Sequence, residues 1–145
     1  MGRWQLAAYR TEILFMNYLR HVKGGVTVVA VTAACHGLMS AGYASARDAA
    51  AGSDAGAFAG AVEFLLTTAA SWALMPFLLW AGMRLTGETG NVVLVLVGGL
   101  VWLGVSGYFI GDIDSTGGRI PIPVLVAYVL LGAALAGIGT DTKSD

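Results

Sequence analysis

Charge is scarce in this chain. Of its 145 residues only 12% are Asp, Glu, Lys or Arg, about half the share usual in a soluble domain. The formal net charge is −1, so no basic field points to nucleic acid as a partner. There is a single cysteine, Cys35. It excludes an intramolecular disulfide and any C-x-x-C pair, and with them the usual thiol–disulfide chemistry. Only two histidines are present, His21 and His36. They do not make a bis-histidine haem site within one membrane bundle. Prolines number three, and two of them sit at the start of one segment.

Apolar residues fill the space that charge leaves. They make up 57% of the chain. They gather into four uncharged runs of about 20 residues each, at 26–46, 64–83, 92–111 and 120–138. A helix rises about 1.5 Å per residue, so about 20 residues cross a hydrocarbon core of about 30 Å. Lipid offers no partner to backbone N–H and C=O groups, which restricts a spanning segment to a helix or a closed barrel. These runs are too long and too evenly apolar for barrel strands. The expected fold is therefore an all-α integral membrane protein. It is a four-transmembrane-helix bundle preceded by an N-terminal amphipathic helix at the membrane interface.

The domain plan follows from the same pattern. Residues 1–25 form the interfacial segment, 26–139 the transmembrane domain and 140–145 a short tail. The four helices are expected at about 26–46, 57–83, 92–111 and 120–138. In 3–23, Trp4, Ala8, Phe15, Leu19 and Val22 recur at helical spacing, with Arg3, Arg10, Asn17 and His21 roughly opposite. Such a helix lies on a bilayer, its aromatic face at headgroup level and its cations toward anionic lipid. Gly24-Gly25 reads as a break before the first crossing. Ala44-Ser45-Ala46 resembles a signal-cleavage site. The apolar stretch before it exceeds the usual 7–15 residues, so the segment is read as a retained crossing.

Basic residues set the orientation. Arg3, Arg10, Arg20 and Lys23 precede the first crossing, which places the N-terminus in the cytoplasm and, after four crossings, the C-terminus with it. The Ala, Gly and Val richness suits a bacterial plasma membrane. The bilayer is thus the first expected partner.

Few groups offer chemistry. Glu63 opens the second crossing and shares a helix face with Thr67 and Ser71, a polar stripe that either joins helices or lines a path. A helix starting near 55 would bury Glu63 two turns deep, whereas a crossing at 64–83 leaves it in water. His36 falls near mid-depth of the first crossing, suited to a hydrogen bond between helices or to proton transfer. The candidate intramembrane polar or proton site is therefore Glu63, His36, Thr67 and Ser71. Cys35 and His36 point about 100° apart on a helix and do not share a metal ion. Asp112 and Asp114 occupy a Gly-rich loop without the full ligand set of a calcium site. Neither a metal nor another cofactor is expected. Pro76 predicts a kink in the second crossing. Gly104, Gly107 and Gly111 form a small-residue face in the third, suited to close helix packing.

With no nucleophile placed beside an acid–base pair, the expected function is non-enzymatic: an accessory or scaffold subunit of a membrane assembly. That reading expects a homo-oligomer or a larger membrane-protein partner. The alternative is a small homo-oligomeric transporter or proton/cation conductor that uses Glu63, Thr67, Ser71 and His36.

Overall fold

A computed structural model describes the backbone of residues 3–52, 56 and 58–138, and the side chains of all of these except 3–11, 13, 14 and 17. The tail at 140–145 lies outside the described residues, as do the side chains of Arg3, Trp4, Ala8, Arg10 and Asn17. Among the described residues five helices appear in the order α1 (Arg3–Ala50), α2 (Ala61–Leu85), α3 (Val92–Tyr108), α4 (Ile110–Asp114) and α5 (Ile122–Ala136). No strand occurs among the described residues. Two segments are long and apolar enough to cross a membrane, Tyr18–Ala50 and Ala61–Leu85, while α3 and α5 are apolar but shorter.

The expected break at Gly24-Gly25 is absent. Helix α1 is continuous over 48 residues, a length of about 72 Å, so the interfacial segment and the first crossing are one rod. Two glycines inside a helix cost about 1 kcal/mol each relative to alanine. The compensation is packing. Gly24 is buried, and a Cβ there would overlap the Cβ of Ala136 on α5. The residue read as a hinge is a point of close approach between helices.

Other boundaries shift modestly. Helix α2 begins at Ala61, later than the 57 expected, after Gly60 in the left-handed region at φ 79°. A Cβ at Gly60 would also overlap the Ala46 carbonyl oxygen, so the turn into α2 suits glycine on both grounds. Helix α2 passes through Pro76 unbroken. The third crossing was expected to reach 111, but α3 ends at Tyr108 and residues 110–114 form the separate short helix α4. Helix α5 covers 122–136 within the expected 120–138, with Pro121 just before it and Pro123 in its first turn. There the missing N–H has no intrahelical partner to lose. The Ala44-Ser45-Ala46 segment is helical, and Ala46 is buried.

The long helices form a ring in which α1 touches α2 and α5, and α3 touches the same two. Buried positions recur every three or four residues on each: Val28, Val31, Cys35, Met39 and Tyr43 on α1; Ser71, Met75, Leu79 and Met83 on α2; Leu94, Gly98, Trp102 and Ser106 on α3; Tyr128, Gly132 and Ala136 on α5. One stripe per helix faces the centre, as helix periodicity requires. Lys23 meets the α2–α3 turn, whereas Tyr43 meets Thr68 at the other end of α2. Thus α1 and α2 run antiparallel.

Each end of the bundle carries a polar collar. At one end Arg20 Nε donates to the Ala136 carbonyl at 2.8 Å and its Nη2 to the Thr89 carbonyl at 2.8 Å. Lys23 Nζ pairs with Glu88 at 3.1 Å. At the other end Arg47 pairs with Asp114 at 3.0 Å and also donates to the Asp114 carbonyl. These contacts tie loops to α1 at both ends. The part-exposed ion pairs themselves add only about 0–1 kcal/mol each.

Candidate functional site

The polar stripe on α2 can be followed from its exposed end inward. Glu63 lies in the first turn of α2 and is exposed. There its carboxylate complements the positive end of the helix dipole. Thr67, one turn on, is half-buried and lies so close to Gly42 of α1 that a Cβ on Gly42 would overlap it. Ser71, a further turn along, is fully buried. The stripe thus passes from water into the helix interface.

Inside, hydroxyls and indoles pair across the helices. Trp102 Nε1 on α3 donates to Ser71 Oγ on α2 at 3.2 Å. Trp72 Nε1 on α2 donates to Ser106 Oγ on α3 at 3.0 Å. The two helices therefore exchange Trp-to-Ser hydrogen bonds reciprocally. Ser106 Oγ also donates to the Trp102 carbonyl at 2.7 Å, which uses its only proton and leaves its lone pairs to receive the indole. Thr68 Oγ1 donates to the Phe64 carbonyl at 2.8 Å and lies 2.7 Å from Tyr43 Oη. With the Thr68 proton committed, the Tyr43 hydroxyl is the donor. The Tyr43 ring stacks on Phe64 with centroids 4.5 Å apart. Tyr128 Oη donates to the Gly98 carbonyl at 3.0 Å, and its ring packs on Trp102.

His36 belongs to a different face. Its neighbour Cys35 points into the core beside Ser71, and one residue of helix turns the next side chain by about 100°. His36 accordingly lines a groove of about 430 Å³ between α1 and α5, with Val29, Thr32, Leu125, Val129 and Leu130 among its walls. Its Nδ1 is buried with no hydrogen-bond partner among the described residues. Glu63 lines no part of that groove, so the candidate set of Glu63, Thr67, Ser71 and His36 does not assemble into one site. Thr67 and Ser71 join helices, Glu63 faces outward, and His36 stands apart.

The glycine face also falls differently. A Cβ on Gly104 or Gly111 would meet nothing within 4 Å, and one on Gly107 only Trp72 at 3.9 Å. Within one copy these residues pack no helix closely. The glycines whose added Cβ would overlap a neighbouring long helix adjoin α1: Gly24 and Gly42 on it, Gly82 on α2 and Gly132 on α5, while Gly98 and Gly99 of α3 sit against Leu79 and Pro76 of α2. Helix α1 is the hub of the bundle, a role that no small-residue spacing in the sequence marks.

Of the acidic loop, Asp114 is engaged by Arg47. The described residues contain no group of three or more His, Cys, Asp or Glu placed to hold a metal ion. Sequence reasoning missed the reciprocal Trp–Ser exchange. Its trace was present in adjacent Ser71-Trp72 on one helix and in Trp102 and Ser106 four apart on the next. Comparison with protein-family models, curated proteins and solved structures finds no match.

Proposed function

We propose that the chain is a four-span integral membrane protein serving as a non-enzymatic accessory or scaffold subunit, with α1 as its docking arm. The observation that carries this reading is the reach of α1 past the bundle. From Arg20, where the collar closes, α1 runs back to Arg3, a projection of about 26 Å. Along its described part, Phe15, Tyr18, Leu19 and Val22 are exposed and fall on one face of the helix. An exposed apolar stripe of this kind marks a surface that another helix or a membrane covers.

The distances between charges support the membrane placement. Lys23 to Arg47 on α1 and Glu63 to Arg84 on α2 are uncharged in between. They span about 36 Å and about 32 Å at helical rise, against a hydrocarbon core of about 30 Å. Arg20, Lys23 and Arg84 gather at one end, which this reading places in the cytoplasm with both termini. The other end collects Glu63, Asp112 and Asp114 with two cations, Arg47 and Arg119, and is the less basic of the two. A cysteine introduced at Gly52, between α1 and α2, is then labelled from outside the cell, and labelling only from the cytoplasm overturns the orientation.

The test of function is mild-detergent extraction from native membranes, with the mass of the particle and its components measured. A stoichiometric larger partner is expected, retained by the native protein and lost on Phe15→Glu with Leu19→Glu. A particle containing only this chain, unchanged by those substitutions, overturns the scaffold reading.

The unpaired Nδ1 of His36 favours a second reading, a small conductor in which copies pack around the α1–α5 groove. That reading expects proton flux into liposomes to fall on His36→Gln. Exposed Glu63 lies outside the groove, so Glu63→Gln should leave the flux unchanged and cost at most about 1 kcal/mol of stability through the lost helix-dipole contact. A flux indifferent to His36→Gln removes the support for conduction.

A further inference from the structure

Glu88, in the α2–α3 turn, already serves two cations, Lys23 at 3.1 Å and Arg20 at 3.9 Å. Arg84, one turn earlier, has no carboxylate within 4.0 Å among the described residues. Its guanidinium instead stands over the indole of Trp80, 5.5 Å from the ring centroid. Both side chains are exposed, and both line a groove of about 280 Å³ between the end of α2 and the start of α3. Thr89, Gly90 and Asn91 form its polar mouth, and Val95 and Leu96 belong to its apolar floor.

The acid next to the mouth, Glu88, is taken up by Lys23 and Arg20 and does not pair with Arg84. Asn91 precedes α3 but does not cap it. Its Nδ2 donates to the Glu88 carbonyl at 2.9 Å, and its Oδ1 accepts from Arg20 at 3.5 Å. The first turn of α3 lines the groove and its amides receive no side-chain cap, so this helix end adds partial positive charge near the guanidinium. A phosphate matches this donor set, because guanidinium binds phosphate oxygens in a bidentate manner. The floor continues onto exposed Val92 and Leu96, which suits an acyl chain and offers nothing to a free inorganic ion. Indole beside arginine at the end of an apolar span is the arrangement expected at a headgroup layer.

We propose that this groove holds the phosphate headgroup of an anionic phospholipid, gripped by Arg84 and the start of α3, with an acyl chain lying along Val95 and Leu96. The site rests on the membrane reading above. The test is native mass spectrometry of the detergent-purified protein with added phosphatidylglycerol, phosphatidylcholine or inorganic phosphate. Phosphatidylglycerol should be retained in preference to the other two, and Arg84→Gln should weaken that retention on the order of tenfold, the share of one charge-assisted contact. Arg119→Gln, an exposed cation outside the groove, should leave it unchanged. Equal retention by Arg84→Gln and the native protein overturns the site, as does binding of inorganic phosphate as tight as that of the lipid. Alkaline carbonate extraction separates the two layers of the argument. Release of the protein into the supernatant overturns the membrane reading itself. An extraction-resistant protein indifferent to Arg84→Gln overturns only the headgroup site.

Discussion

Gly132→Leu is expected to destabilise the bundle by about 3 kcal/mol or more, the upper part of the range for overpacked interiors. A Cβ alone on Gly132 would stand 2.8 Å from both γ-carbons of Val28. The three further carbons of leucine have no space unless α5 moves off α1. The β-branched side chain of Val28 is stiff on a helix and does not swing aside. Gly24, one contact further along the same interface, meets Ala136 even more closely, so the shift is not absorbed locally. The measurement is unfolding in mixed detergent micelles, followed by circular dichroism. Gly104→Leu and Gly111→Leu are the controls, because both positions are open within one copy. They should unfold with the native protein, while self-association measured in the same micelles reports whether that face meets a second copy. Native-like unfolding of Gly132→Leu would show that the α1–α5 contact is looser than described.

Trp102→Ala is the second large effect, about 3–5 kcal/mol for a fully buried tryptophan. Trp102 is the largest of the fully buried side chains. It packs on Tyr128 of α5 and donates to Ser71 of α2, so one residue on α3 joins two neighbours. Its removal leaves a cavity and strips Ser71 of its indole partner. Trp102→Phe separates these contributions. It keeps much of the ring volume and loses the N–H, and should cost nearer 1 kcal/mol, as a lost neutral hydrogen bond does. Trp80→Ala provides the contrast, because Trp80 is 47% exposed and little interior packing depends on it. If Trp102→Ala and Trp80→Ala unfold alike, the reciprocal Trp–Ser exchange does not hold α2 to α3.

Much of the architecture was legible along the chain. The helices α2, α3 and α5 lie close to the uncharged runs that announce them, and Glu63 and Arg84 mark the two ends of α2. Such features are local. An uncharged run of about 20 residues is too long for an ordinary strand and reads as a helix wherever its neighbours lie. The fate of Gly24-Gly25 was not legible in that way. Local rules read two glycines as a break, and only the nearness of Ala136 on α5 makes glycine the residue that lets α1 continue straight.

The polar residues divide along the same line. Periodicity alone placed Glu63, Thr67 and Ser71 on one face of α2. It did not say that Thr67 would press on Gly42, or that Ser71 would receive Trp102. It gave His36 a depth but no direction. The difference between Cys35 against Ser71 and His36 in an open groove is one residue of rotation, about 100°. Spacing along a helix follows from counting residues, and the amino-acid sequence by itself determined it here, together with the positions of the apolar helices, but not their exact ends nor the fusion of the first two segments into α1. Rotation about each helix axis is fixed only when neighbouring helices pack, because side-chain volumes from distant segments decide which faces fit. For that reason the tertiary structure alone decided that the polar stripe joins helices, that the tightest packing glycines adjoin α1, and that Glu63 and His36 never meet.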